Sequence, residues 1–167
     1  FDARLETAVQ ELERAWQRIG DPRLAARRAE LLLALDRFDD ARSGLDQALA
    51  RGGAADSSDL RLAEGDWFRL NGQGDEAIAR YRAGLASAQS DMLRADALGR
   101  LGRALQERGD LPAAREALAQ AVALAPQNAS LQGLQATAAT EALRLQEAGQ
   151  GFDAALALQA DDYESLA

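Results

Sequence analysis

Two glycine-rich stretches and three acidic pairs are the parts of this sequence whose spacing suggests chemistry. Gly72-Gln73-Gly74-Asp75-Glu76-Ala77 and Gly149-Gln150-Gly151-Phe152-Asp153-Ala154 imitate a loop that cradles phosphate. Such a loop needs a preceding strand and a parallel sheet. No strand-like segment precedes either stretch, and Asp75-Glu76 would repel the anion, so both read as turn material. Asp39-Asp40, Asp75-Glu76 and Asp161-Asp162 offer carboxylates to a hard cation. None has the spaced oxygen ligands of a calcium loop. They read instead as charges at helix starts, where the helix dipole favours them. Catalysis by paired carboxylates needs a cleft and a desolvated acid, and the sequence shows no sign of either. Histidine and cysteine are absent. That removes the most frequent general base, thiol nucleophiles, disulfides and the usual zinc ligand sets. No catalytic, metal or cofactor residue emerges, and the chain reads as a non-enzyme.

The elements that carry these residues announce themselves by repetition. Ala8, Ala41, Ala77, Ala114 and Ala148 form a ladder at steps of 33, 36, 37 and 34 residues. Four positions after each comes Leu12, Leu45, Tyr81, Leu118 or Phe152, and seven after comes Ala15, Ala48, Gly84, Ala121 or Ala155. Trp16, Leu49, Leu85, Val122 and Leu156 follow directly. Offsets of four, three and one put a small–large–small–large set on one helix face. Five registered copies mean that one helix-containing unit has been duplicated.

Composition agrees. Aromatics are 5% of the 167 residues, alanine is abundant and there are three prolines. Alanine is the best helix former, and small residues allow close helix contacts. β-branched residues are scarce, so strands are not expected. The net charge is −8, which disfavours a phosphate-backbone partner and argues against nucleic acid. All 19 basic residues are arginine, a usage that reads as a GC-rich, bacterial coding genome. The longest apolar run, Leu31 to Leu35, is far short of a membrane span, so no direct membrane insertion is expected. No leader or initiator methionine is visible, and the chain opens and closes inside repeat-like sequence. It therefore reads as part of a longer polypeptide, with its compartment unassigned.

The units run as a half repeat over 1–21, repeats over 22–57, 58–94, 95–128 and 129–162, and the start of another at 163–167. In 1–21 the apolar face comprises Leu5, Ala8, Leu12, Ala15, Trp16 and Ile19. Asp21-Pro22 suits a helix start, as N-cap and first-turn residue. Gly52 to Ser57 is a loop, Asn71 to Gly74 and Gly109-Asp110 are turns, and 92–94 lengthen one connection. In 129–162 no glycine marks the internal turn, which should fall near Ala142-Leu143-Arg144, and Gly149 and Gly151 lie inside the expected second helix. One reading keeps a helix pair there; the other has a single helix over about 130–148 that breaks at Gly149. The register of Ala148, Phe152, Ala155 and Leu156 favours the pair.

A 34-residue helix–turn–helix unit with this alternation resembles the tetratricopeptide repeat. Residues 95–128 carry the likeness best, through Leu98, Leu101-Gly102, Leu105, Ala114, Leu118, Ala121 and Pro126. Arg61, Glu64, Gln132 and Gln135 depart from it, standing where apolar residues are expected, and Gln89 and Ala160 replace the closing proline. The resemblance implies an all-α, right-handed α-solenoid of antiparallel helix pairs, about four and a half repeats long. It also implies a concave groove lined by the first helices, which receives a partner peptide or helix. The groove positions are then Arg23, Ala26 and Glu30; Asp59, Leu62, Asp66 and Arg69; Asp96, Gly99 and Arg103; and Ser130, Gly133 and Thr137. Gly99 and Gly133 would widen it. The lysine–asparagine clamp that some members use for a C-terminal carboxylate is absent. Trp16, Phe68 and Tyr81 fall on packing positions, whereas Trp67 lies off the ladder and is the aromatic expected to be partly exposed. The implied function is a protein–protein interaction scaffold. The alternatives are a regulatory or substrate-presenting arm of a larger enzyme or export protein, and a self-associating or spacer module.

Overall fold

The computed structural model describes the backbone of residues 2–51 and 56–164 and the side-chain surroundings of 3–51 and 56–146. Among the described residues eight helices follow one another: α1 (Asp2–Ile19), α2 (Pro22–Ala34), α3 (Phe38–Ala50), α4 (Ser58–Leu70), α5 (Gly74–Ser87), α6 (Asp91–Glu107), α7 (Leu111–Leu124) and α8 (Ala129–Glu164). Among the described residues there is no strand. The loop expected over 52–57 falls mostly outside the described residues.

Local chemistry sets the starts. The Asp21 side chain accepts from the Arg23 N–H, with Pro22 in the first turn of α2. Ser57, Ser90 and Asp110 cap α4, α6 and α7 in the same way. A cap of this kind is worth about 1 kcal/mol. Ser90 also corrects an expectation: residues 92–94 are the first turn of α6, not part of a lengthened connection.

The helices pair as α2/α3, α4/α5 and α6/α7, and the pairs stack in chain order, a solenoid whose apolar core runs between neighbours. The ladder lies inside the pairs. Ala41, Leu45, Ala77, Tyr81, Ala114, Leu118 and Ala121 are fully buried. Glycines on the facing helices leave the room that these side chains fill. A Cβ on Gly65 would sit 2.4 Å from the Tyr81 ring, and one on Gly102 2.6 Å from Leu118 Cγ. In α1 the ladder is looser. Val9 and Trp16 are the buried residues there, and Ile19, expected on the apolar face, is 62% exposed. The ladder residues from Ala148 onward lie outside the described side chains.

Each pair turns through one left-handed residue, five positions before the ladder alanine: Asp36 (φ 57°), Gly72 (φ 75°) and Gly109 (φ 86°). The corresponding position in 129–162 is Leu143. A bulky side chain costs about 1–2 kcal/mol in that conformation, and leucine is a good helix former. The helix accordingly runs on without a break near Leu143 or at Gly149, as the 36-residue α8. The helix pair expected over 129–162 is not formed, and neither is the break at Gly149.

The departures at Arg61 and Glu64 do not disrupt packing. Glu64 is buried (2% exposed), paired to Arg61 at 2.8 Å and lying 3.8 Å from both Arg42 and Arg80. Arg42 also lies over the Trp67 ring. An ion cluster linking α3, α4 and α5 occupies the place of an apolar side chain.

Candidate functional site

The first helices of the pairs, α2, α4 and α6, share a face with α8, and two adjoining hollows open on it. One, of about 200 Å³, lies between α4, α6 and the start of α8 and includes Asp66, Arg69, Tyr81, Asp96, Arg100 and Arg103. The other, of about 540 Å³, lies over α2, α4 and α6 and includes Glu30, Leu33, Ala34, Asp66, Leu70, Arg100 and Arg103. Seven of the expected groove residues therefore come together: Glu30, Asp66, Arg69, Asp96, Gly99, Arg103 and Ser130.

Their organising centre is Arg100, which the sequence reading did not single out. It donates to Glu30 on α2 at 2.8 Å, to Asp96 one turn earlier on α6 at 3.0 Å, and to Asp66 on α4. Its side chain is only 24% exposed. Burial disfavours the Arg100 charge, but Asp66, Asp96 and Glu30 together outweigh it and hold the guanidinium more firmly protonated than usual. Asp66 also accepts from the Tyr81 hydroxyl at 2.7 Å. Burial pushes the Asp66 carboxyl above the ordinary carboxylate value, against the opposing pull of Arg100 and Tyr81. The Tyr81 hydroxyl is raised as well, first by burial and then by the Asp66 charge, and stays protonated as a donor. Gly65 makes this possible by letting the Tyr81 ring pass close to α4.

Around this floor the charges are mixed. Arg69 pairs with Glu107 at 3.0 Å, and Arg27 with Glu30 at 2.9 Å. Arg103 is exposed and, among the described residues, makes no ion pair. Arg23 and Asp59 lie outside the two hollows. They are near enough for the Asp59 charge to act on Arg23, whose closer partner is Asp21 at 2.6 Å.

Three groove expectations are corrected. Leu62 is 2% exposed and packs in the core against α5, where Gly84 leaves it room, so it cannot line a groove. Ala26 is likewise buried. Gly99 does not widen the groove, because a Cβ there would stand 2.4 Å from Leu131 Cδ2 and the space is filled by α8. Gly133 has open space around it. Trp67 is half-buried, as expected, but its indole N–H donates to the Phe38 carbonyl at 3.0 Å, away from the groove. A helical i,i+4 pair, Asp96–Arg100, was the available signal for Arg100.

Chemically, the face offers hydrogen bonds, charges and a few apolar side chains. The three carboxylates are engaged by one arginine, and among the described residues no acidic cluster is arranged to hold a metal ion. The turn at Gly72–Gly74 joins the antiparallel helices α4 and α5, with a helix and not a strand before it. Among the described residues no helix is long and apolar enough to cross a membrane.

Antiparallel helix pairs stacked into a solenoid with an open inner face define a class of interaction module, and the comparisons name it. The tetratricopeptide repeat family model matches residues 68–138. That stretch belongs to the tetratricopeptide repeat family, and the fold as a whole is the solenoid of its solved members. The MamA protein of Desulfovibrio magneticus RS-1 superposes with a TM-score of 0.57 at 21% identity, over 88% of this chain and 86% of that one. The second such domain of human RPAP3, solved with the HSP70 peptide SGPTIEEVD, gives 0.57 at 17% identity over 71% and 98%. TTC0263, a thermophilic protein of Thermus thermophilus, gives 0.50 at 19% identity over 83% and 92%. These likenesses establish the fold. No curated protein matches the chain.

Proposed function

We propose that this chain is a non-catalytic scaffold whose inner face receives an extended peptide or a helix of a partner protein. The observation that carries this reading is the Arg100 centre. One side chain ties α2, α4 and α6 together beneath the two hollows, so the surface is organised before a partner arrives, and preorganised surfaces lose less on binding. The hollows are lined by Glu30, Asp36, Asp66 and Asp96 against Arg69, Arg100 and Arg103, one carboxylate in excess, which suits a segment of basic or amphipathic character. Ala34 and Leu70 supply apolar contact beside these charges. The peptide seen with the human RPAP3 domain supports the mode of binding, not the identity of the ligand.

Fluorescence anisotropy with two sets of labelled peptides, basic-amphipathic and acidic, tests this. The basic set should bind more tightly, with affinity falling as salt rises. Glu30→Gln combined with Asp96→Asn, both lining the hollows, should weaken it about tenfold, the scale of one lost charged contact. Tighter binding of the acidic set, or equal binding by the variant, would sink the proposal.

A further inference from the structure

Away from the groove, a hollow of about 630 Å³ lies between α7 and the first half of α8. Pro112, Arg115 and Ala119 form one wall, and Gln135, Ala136 and Ala139 the other. One 34-residue period earlier, the second wall corresponds to Leu101, Gly102 and Leu105 of α6. Gly102 is where α6 receives Leu118 and the Ala114 carbonyl of α7. The hollow is thus the berth for the second helix of a fourth pair.

The sequence contains that helix. Ala148, Phe152, Ala155 and Leu156 repeat Ala114, Leu118, Ala121 and Val122 at the same period. It cannot reach its own berth, because α8 is continuous. Twelve residues of unbroken helix place position 148 about 18 Å along the axis from Ala136, whereas Ala114 lies against Gly102. Leu143 and Leu145, where α8 passes the end of the α6/α7 pair, are left 59% and 64% exposed.

We propose that residues 148–158 occupy this hollow in a second copy of the chain, so that two molecules exchange their last helices reciprocally. The occupant follows from register: the berth repeats the α6 surface, and the α7 pattern that fits such a surface recurs in 148–156 of the same sequence. Leu143 is the control point. Its aversion to the left-handed turn holds α8 open and makes exchange the way to cover both surfaces.

The chain has no cysteine, which gives a clean test. Ala136→Cys with Ala148→Cys, oxidised and run on a non-reducing gel, should give a disulfide-linked dimer. Light scattering of the unaltered chain over a concentration series should show a dimer, and Leu143→Gly should weaken it about tenfold or more. In the cysteine variant, Leu143→Gly should convert the cross-link to one within a single chain. A monomer at every concentration, an intrachain bridge without Leu143→Gly, or a dimer with no bridge would each overturn the proposal. If the cysteine variant does not fold, the light-scattering comparison with Leu143→Gly decides alone.

Discussion

Residues 91–124 and 129–164 begin as copies of one another and end as different structures. The first is a hairpin, α6 and α7, whose facing surfaces are closed by Leu98, Leu101 and Leu118. The second is one helix. Two positions account for most of the contrast. Gly109 takes φ 86° and turns the chain, where its counterpart Leu143 does not. Arg100 ties α6 to α4 and, across it, to α2, where its counterpart, Leu134, is a half-buried apolar residue. The lesson is that a ladder of packing residues specifies which surfaces fit, but not whether the chain between them can reverse. That is decided by one residue's tolerance of a left-handed backbone.

The comparison can be broken deliberately. The largest effect is expected from writing the α8 residue into α6. Arg100→Leu leaves Glu30, Asp66 and Asp96 without their shared cation and should cost about 3 kcal/mol, the scale of opening a mostly buried ion pair. Urea denaturation measures it, and a loss below about 0.5 kcal/mol would mean that the centre contributes no stability. Ala114→Leu comes next. Position 114 is fully buried against α6, so overpacking should lower stability by about 1–3 kcal/mol. An unchanged melting temperature would contradict the register.

Gly109→Leu reproduces the α8 turn position in the hairpin. A Cβ there meets nothing within 4 Å, so the penalty is backbone strain alone, about 1–2 kcal/mol. Helix content by circular dichroism should hold or rise while stability falls, and a stable, unchanged protein would remove the explanation given for α8.

The smallest effect concerns pH. The folded Asp66 carboxyl titrates above its unfolded value of 3.8. Its contribution to stability is therefore complete below that value and is lost as pH rises through the folded value. Asp66→Asn keeps a partner for Tyr81 and removes the titration. Relative to the unaltered protein it should gain stability on going from pH 4 to pH 7 in paired thermal melts. A relative loss over that interval would reverse the assigned direction.

Much of this was legible in the sequence. The ladder located Ala41, Ala77 and Ala114 because small residues at a helix contact recur with the unit. The turn at Gly72 was legible for a similar reason, since glycine tolerates the backbone required. The signal that α8 would not turn was also present: from Ala41 on, the position five residues before each ladder alanine reads Asp, Gly, Gly and then Leu. It was outweighed by the register of Ala148 and its followers. Leu62 was misplaced because groove and core positions on a first helix are one residue apart, and helix rotation decides between them. Arg100 was missed because two of its three partners, Asp66 and Glu30, lie on other helices, 34 and 70 residues away. Their approach depends on how tightly the stack coils, which no local pattern encodes.

That coiling gives the Arg100 centre a mechanical consequence. An array in which every unit touches only its neighbours flexes like a spring, each joint bending independently. The contact from Arg100 to Glu30 skips a unit, joining the first pair to the third across the inside of the curve. It behaves as a tie rod on the inner radius. Compression toward a tighter curve is left free, while straightening must first stretch a charged link, so the array is stiffer in one bending direction than in the other.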